Sequence, residues 1–142
     1  MGYGNIGRYA IEALQAAEDF EIAGVVRRNA SQVPAELAGI KVVSSLKDLD
    51  SVDVAILATP TRKVEEYALE ALALGINTVD SFDIHTKIPA LHATLKAAAE
   101  KAGKACIISA GWDPGTDSMV RAILEACAPK GLTYSGTKRR ST

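Results

Sequence analysis

Two aspartates in loops are the residues best suited to chemistry. Asp83 and Asp113 lie thirty positions apart, and each follows an apolar segment typical of a strand. Two carboxylates that meet over a bound molecule can hold an ammonium group or take a proton from it. Trp112, the one tryptophan, adjoins Asp113 in a glycine-rich loop and could wall a pocket. Two alternatives stay open: a core position for Trp112, and a turn or helix-capping role for Asp113 before Pro114.

A glycine pattern at the start of the chain predicts a dinucleotide site. The sequence G-x-G-x-x-G is formed by Gly2, Tyr3, Gly4, Asn5, Ile6 and Gly7. Such glycines permit a tight turn and close approach of a pyrophosphate, and the helix that follows offers free N–H groups to the phosphates. A strand normally leads into this motif, but only Met1 precedes it here. We therefore expect a phosphate-binding turn without its leading strand.

A pair of arginines predicts which dinucleotide is bound. NAD-binding versions of this fold place an acidic residue about 20 positions beyond the glycines, where it binds the ribose 2′-hydroxyl. Here the corresponding segment ends in Arg27 and Arg28. Guanidinium groups can bind a 2′-phosphate through charge-assisted hydrogen bonds, so NADP is the predicted cofactor. The simpler alternative is a pair of surface arginines.

Alternating strand and helix patterns must position these residues. Strand-like segments are 20–26, 41–43, 52–58, 77–80 and 105–108. Helical patterns cover 5–17, 61–74, 89–102 and 116–128, with Thr61 as the expected N-cap of the second. This alternation is typical of an α/β protein with a doubly wound parallel sheet, whose ligands bind at the carboxyl ends of the strands. Residues 1–134 are thus predicted to form a Rossmann-like NADP-binding domain lacking its first strand.

The missing strand has a structural consequence. In the strand order 3-2-1-4-5-6 it lies in the middle of the sheet. Its absence would leave two inner edges unpaired or force the second and fourth strands together. We therefore expect a weakly stable domain. Residues 135–142 depart from the pattern and are interpreted as the start of another domain.

Composition narrows the possible partners. The chain has 142 residues, 48% of them hydrophobic and 23% charged, as in ordinary globular proteins. A net charge of −1 argues against nucleic-acid binding by bulk electrostatics. No apolar run is long enough to span a membrane and no signal peptide is visible, so a cytoplasmic location is expected.

Cys106 and Cys127 lack the spacing of metal ligands, so no metal site is predicted. Neither His85 nor His92 is assigned as a catalytic base.

The chain resembles the meso-diaminopimelate dehydrogenase family over about residues 2–134. The motifs that carry the resemblance are 2–8, 25–29, 58–61, 79–83 and, most specifically, 109–115. That family deaminates the D-configured centre of meso-2,6-diaminopimelate: a hydride passes to NADP⁺, and hydrolysis of the imine gives L-2-amino-6-oxopimelate and ammonia. The reverse reaction supplies lysine and cell-wall precursors. The resemblance implies the same activity, in the cytoplasm, for the full-length protein.

The resemblance also implies site residues. Asp83 and Asp113, with Trp112, would surround the amino group at the D-centre as the catalytic set. The cofactor would contact Gly2, Tyr3, Gly4, Asn5, Ile6, Gly7, Arg27, Arg28, Ala58, Thr59, Pro60, Thr61, Ser81, Phe82, Ala110 and Gly111. Family members continue into a substrate and dimerisation domain, so we expect a homodimer for the full-length enzyme and an incomplete active site within these residues. Which carboxylate is the base stays open.

Two other functions remain possible from the sequence. One is a related NADP-dependent enzyme of amino-acid biosynthesis, such as a relative of dihydrodipicolinate reductase or homoserine dehydrogenase. The other is a non-catalytic module that senses NADP(H). The loop from Trp112 to Gly115 favours diaminopimelate over the first alternative, and the two loop aspartates have no evident purpose in the second.

Overall fold

The computed structural model describes residues 1–129, which form a helix-and-strand alternation close to the predicted one. Its helices are α1 (Asn5–Gln15), α2 (Val64–Ala73), α3 (Ile88–Ala102) and α4 (Thr116–Cys127). The strands are β1 (Val25–Val26), β2 (Val42–Val43), β3 (Val54–Leu57), β4 (Asn77–Asp80) and β5 (Cys106–Ile107). Single 3₁₀ turns lie at Ala35–Leu37, Leu46–Asp48, Thr61–Lys63 and His85–Lys87.

The five strands within residues 1–129 form two sheets, and the strands within each sheet are parallel to one another. β1 pairs with β2, whereas β3, β4 and β5 form a second sheet with β4 in the centre. Parallel neighbours need a crossover connection, which α2 supplies between β3 and β4 and α3 between β4 and β5. The two helices pack against each other and against the sheet. The predicted α/β class is confirmed.

The first two residues of the chain lie between the two sheets. The amino group of Met1 donates to the carbonyl oxygen of Ile56 at 2.7 Å, and the N–H of Ala58 donates to the Met1 oxygen at 2.8 Å. On the other side, the N–H of Gly2 donates to the carbonyl oxygen of Val26 at 2.8 Å. Met1 and Gly2 thus connect the carboxyl ends of β3 and β1, and they hold the glycine turn in place.

Below that connection the sheets are separated by a cavity of about 680 Å³. Its walls come from α1, from the segment leading into β1, and from β3; they include Ala10, Leu14, Val26 and Ala55. β1 and β3 are not paired with each other, and Met1 and Gly2 lie between their carboxyl ends.

The hydrophobic core lies under the three-stranded sheet, where α2 packs on β3 and β4, and α3 packs on α2 and β5. The most deeply buried large side chains there are Leu57, Val64, Leu72 and Leu95. By contrast, α1 buries only Gly7, and no residue of α4 is buried. The part of the chain that carries the glycine turn is therefore less well packed than the part that carries β3 to β5.

Two local predictions were wrong. The segment 20–26 was expected to be a strand throughout, but only Val25–Val26 form one, because a ladder needs a neighbour and β1 has only the two-residue β2 beside it. Thr61 is not the N-cap of α2: it begins a 3₁₀ turn, and its hydroxyl bonds to another loop instead.

No helix within residues 1–129 is long and apolar enough to cross a membrane. The interpretation of 135–142 lies outside the described residues.

Candidate dinucleotide and amine site

The glycine turn has the geometry that a phosphate loop requires. Gly2 has φ +89°, and a Cβ there would lie 2.3 Å from the carbonyl oxygen of Ala58. A Cβ on Gly7 would lie 2.5 Å from the Gly2 oxygen, so α1 packs directly on the turn. Gly4, the N-cap of α1, faces open space, and no side chain caps the helix. The first-turn N–H groups of α1 thus adjoin an open space suited to an anion.

The two arginines follow β1, next to that turn. Since Gly2 bonds to Val26, the residues after Val26 lie beside the glycine motif. The Arg27 guanidinium is 5.8 Å from the ring centroid of Tyr3 and donates to the carbonyl oxygen of Gln32 at 3.0 Å. Arg28 is exposed. One guanidinium is therefore fixed against the glycine turn and the other is accessible to a ligand.

The turn after β3 closes the other side of the same space. Thr59 lies against the glycine motif, with its methyl carbon 3.3 Å from the position of a Cβ on Gly2. Its hydroxyl is buried without a hydrogen-bond partner in the part of the chain that the structure describes. A buried hydroxyl of this kind is a donor and acceptor available to a bound molecule. These residues fit a dinucleotide: a glycine cradle, a helix N-terminus, two guanidinium groups and an unpaired hydroxyl.

The carboxylate of Asp80 fastens the next two loops together. Asp80 is 2% exposed, and its Oδ1 accepts from the N–H of Phe82 at 2.9 Å and from that of Ser109 at 3.0 Å. The N–H of Ala110 donates to the Asp80 carbonyl oxygen at 2.7 Å. The loops after β4 and β5, which carry the two predicted catalytic aspartates, therefore begin from one shared point.

Asp83 is held by the turn after β3. The Thr61 hydroxyl donates to Asp83 Oδ1 at 2.6 Å, so the predicted cofactor turn and the predicted amine site touch. Between them, Ser81 is exposed, whereas Phe82 is 5% exposed with its ring in the core. A contact of Phe82 with a ligand would therefore come from its backbone.

Asp113 is surrounded by donors. Its Oδ1 accepts from Arg121 Nη2 at 2.8 Å and from the Ser118 hydroxyl at 3.4 Å, and it lies 3.6 Å from His85 Nε2. His85 follows Asp83 in the chain, so this contact brings the two aspartate loops to one place, as predicted. Asp113 does not cap α4, whose N-cap is Gly115.

The loop around Asp113 is closed by two glycines. Gly111 and Gly115 form an isolated parallel bridge, and a Cβ on Gly115, at φ +144°, would lie 1.7 Å from the Gly111 oxygen. Trp112 between them is 67% exposed, which rules out the core position and leaves its ring available to a ligand. The glycine pair makes the loop compact and turns Trp112 outward.

Sequence reasoning missed the donors to Asp113. Arg121 lies four residues after Asp117 on α4, and its Nε is 3.4 Å from Asp117 Oδ2. That spacing predicts the contact between Arg121 and Asp117, because residues four apart on a helix are neighbours, but it gives no signal for the contact of Arg121 with Asp113. The contact of His85 had no sequence signal beyond its position after Asp83.

A cysteine thiol near the site has a shifted pKa. Burial raises the pKa of the Cys106 thiol on β5, and the negative charge of Asp80 raises it further. The thiol is therefore held in its protonated, weakly nucleophilic form. We therefore interpret Cys106 as a packing residue and not as a nucleophile.

Comparison with known proteins identifies the family. A model described as the oxidoreductase family with an NAD-binding Rossmann fold matches residues 1–109. The chain belongs to that oxidoreductase family. Its sequence relatives include a protein named meso-diaminopimelate D-dehydrogenase from Bacteroides fragilis, 66% identical over 136 residues, which covers 95% of this chain and 46% of the relative. A protein of the same name from Lysinibacillus sphaericus is 39% identical and covers 95% and 42%.

Solved structures of oxidoreductases with related sequences agree. A meso-diaminopimelate dehydrogenase mutant from Clostridium tetani, solved with DAP, is 34% identical with a TM-score of 0.76, covering 94% of this chain and 42% of that one. An engineered D-amino acid dehydrogenase bound to NADP⁺ is 30% identical with a TM-score of 0.75, covering 89% and 39%. The chain spans less than half the length of these relatives.

Proposed function

We propose that this oxidoreductase chain is the cofactor-binding part of an NADP-dependent meso-diaminopimelate dehydrogenase. The observation that carries the proposal is that the Asp83 loop contacts both the turn after β3, through Thr61, and the carboxylate of Asp113, through His85. The names of the relatives support this choice of substrate. The proposed reaction converts meso-2,6-diaminopimelate, NADP⁺ and water into L-2-amino-6-oxopimelate, ammonia, NADPH and a proton in lysine biosynthesis.

Residues at the carboxyl ends of β1 and β3 would hold the cofactor. The N-terminus of α1 and the open face of Gly4 would take the pyrophosphate, and Arg27 and Arg28 would take a 2′-phosphate. The orphaned Thr59 hydroxyl would find its partner on the same molecule. When bound, NADP⁺ would supply the acceptor for the hydride that leaves the amino-bearing carbon. The NADP⁺-bound relative supports this assignment over NAD.

The carboxylates of Asp83 and Asp113 would bind the amino group of the substrate. Each carboxylate has one oxygen occupied by protein donors, Thr61 for Asp83 and Arg121 for Asp113. Their other oxygens would accept hydrogen bonds from the substrate ammonium. One carboxylate would take the proton that the ammonium must lose before the hydride leaves. Trp112 would cover the site with its exposed ring. Other residues of the full-length protein would bind the distal L-centre and form the homodimer interface.

The activity is tested with the full-length protein and two stereoisomers of 2,6-diaminopimelate, the meso and the L,L form. We expect NADPH to form with meso-diaminopimelate and not with the L,L isomer, because only the meso compound has a D-centre. Asp113→Asn should abolish most of this activity. Equal rates with the two isomers, or full activity of Asp113→Asn, would contradict the proposed substrate and site.

The cofactor preference is tested by binding. Arg28→Ala should weaken NADP⁺ binding by about tenfold to a hundredfold, since a hydrogen bond to a charged group contributes about 1.5–3 kcal/mol. NAD⁺ lacks the 2′-phosphate, so its weaker binding should stay unchanged. Lys96→Ala, which removes a cation from an exposed ion pair with Glu100 on α3, serves as the charge-matched control. An equal loss for both cofactors would refute the role of Arg28. Titration calorimetry measures the dissociation constants of NADP⁺ and NAD⁺ for the wild-type protein and for the two variants.

A further inference from the structure

We propose that Arg121 is a positioning residue for Asp113, an inference that rests on the proposed dehydrogenase function. Arg121 projects from α4 and places Nη2 2.8 Å from Asp113 Oδ1. Its Nε lies 3.4 Å from Asp117 Oδ2, in the first turn of the same helix. The guanidinium group therefore joins the aspartate loop to the start of α4 and fixes the direction of the Asp113 carboxylate.

The contacts on Asp113 converge on one oxygen. Besides Arg121, the Ser118 hydroxyl donates to Oδ1 at 3.4 Å, and His85 Nε2 lies 3.6 Å from the same atom. Ser118 is itself held, because the N–H of Gly115 donates to its oxygen at 3.3 Å. A carboxylate anchored through Oδ1 retains the lone pairs of Oδ2 for a ligand. Asp83 shows the same pattern, since Thr61 donates to its Oδ1.

The contribution of the Arg121–Asp113 ion pair to folding stability is too small to account for it. The side chains of Arg121 and Asp113 are each 37% exposed, and exposed ion pairs contribute little to folding. No residue of α4 is buried. The main effect of the pair is geometric: without it, the Asp113 side chain can turn among its rotamers, and Oδ2 loses a fixed direction.

The test uses variants of the full-length protein. Arg121→Met should raise the KM for meso-diaminopimelate at least tenfold, because a disordered carboxylate holds the ammonium less well. The dissociation constant of NADP⁺ and the midpoint of thermal unfolding should stay at their wild-type values. Arg121→Lys keeps the charge and one donor and should recover part of the loss. Lys96→Met is the control for removing an exposed cation on another helix and should leave all values unchanged.

Each outcome decides the inference. An unchanged KM in Arg121→Met overturns it, as does a parallel loss of NADP⁺ affinity and thermal stability, which would indicate a merely structural role. A value for Arg121→Lys no better than that for Arg121→Met also overturns it. If Arg121→Met does not fold, a severalfold higher KM in Arg121→Lys at unchanged NADP⁺ affinity supports it, and an unchanged KM refutes it. An inactive wild-type protein overturns the proposed function and this inference together, whereas the other outcomes leave the proposed function standing.

Discussion

In a chain that begins at Met1, the buried amino group should make folding depend on pH. This group lies between the two sheets, where burial lowers its pKa from 8.0 to about 6. The unfolded chain therefore binds more protons than the folded one between pH 6 and pH 8. Stability must increase as the pH rises through this range, because the proton is bound more weakly in the folded state.

The size of the effect follows from the shift. A lowering by two pKa units, at about 1.36 kcal/mol each, corresponds to about 2.7 kcal/mol between the two ends of the range. For a chain of this length, that corresponds to roughly 10 °C in the midpoint of thermal unfolding. The assay is urea denaturation of the chain at a series of pH values from below 6 to above 8.

An acetylated chain is the matched control. Acetylation removes the charge of Met1 but retains an N–H that can donate to Ile56. His85 and His92 are present in both proteins, so the comparison isolates the amino group. We expect the free chain to gain stability with pH and the acetylated chain to change much less. The same slope in both proteins would refute the assignment to the amino group.

Two further predictions concern the turn and the core. Gly2→Ala should cost about 1–3 kcal/mol of stability and abolish tight NADP⁺ binding, since the residue has positive φ and its Cβ would collide with the oxygen of Ala58. Urea unfolding measures the loss of stability, and titration calorimetry measures the loss of NADP⁺ binding. Wild-type NADP⁺ affinity would contradict the prediction. Leu95→Ala should cost about 2–5 kcal/mol, because that side chain is 0% exposed in the core; Leu74→Ala, at 40% exposure, is the control, and equal losses would be inconsistent with the packing.

The sequence predicted the elements whose pattern is local. The apolar run of β3 and the face of α2 at Val64, Ala68 and Leu72 were correctly identified, because burial follows the period of each element. The meeting of the Asp83 and Asp113 loops was also predicted, since parallel strands bring their carboxyl ends to one edge. These features follow from spacing and strand direction alone.

Other features depend on partners that are distant in the chain. The shortness of β1 reflects its ladder with the two-residue β2 rather than its own β-branched residues. Thr61 has the residue type of an N-cap, yet its hydroxyl bonds to Asp83, 22 positions away. The donors to Asp113 were likewise invisible until α4 was placed beside the loop. Side-chain pairing across loops requires the three-dimensional arrangement.

The shared attachment at Asp80 has an entropic consequence. Because Asp80 accepts the N–H groups of Phe82, Ser109 and Ala110, both aspartate loops lose much of their backbone freedom when the domain folds. A ligand that enters between them does not have to order two independent segments, so more of its contact energy appears as affinity. Much of the entropy cost of ordering the proposed amine site is therefore incurred when the domain folds, through the three hydrogen bonds that Asp80 accepts.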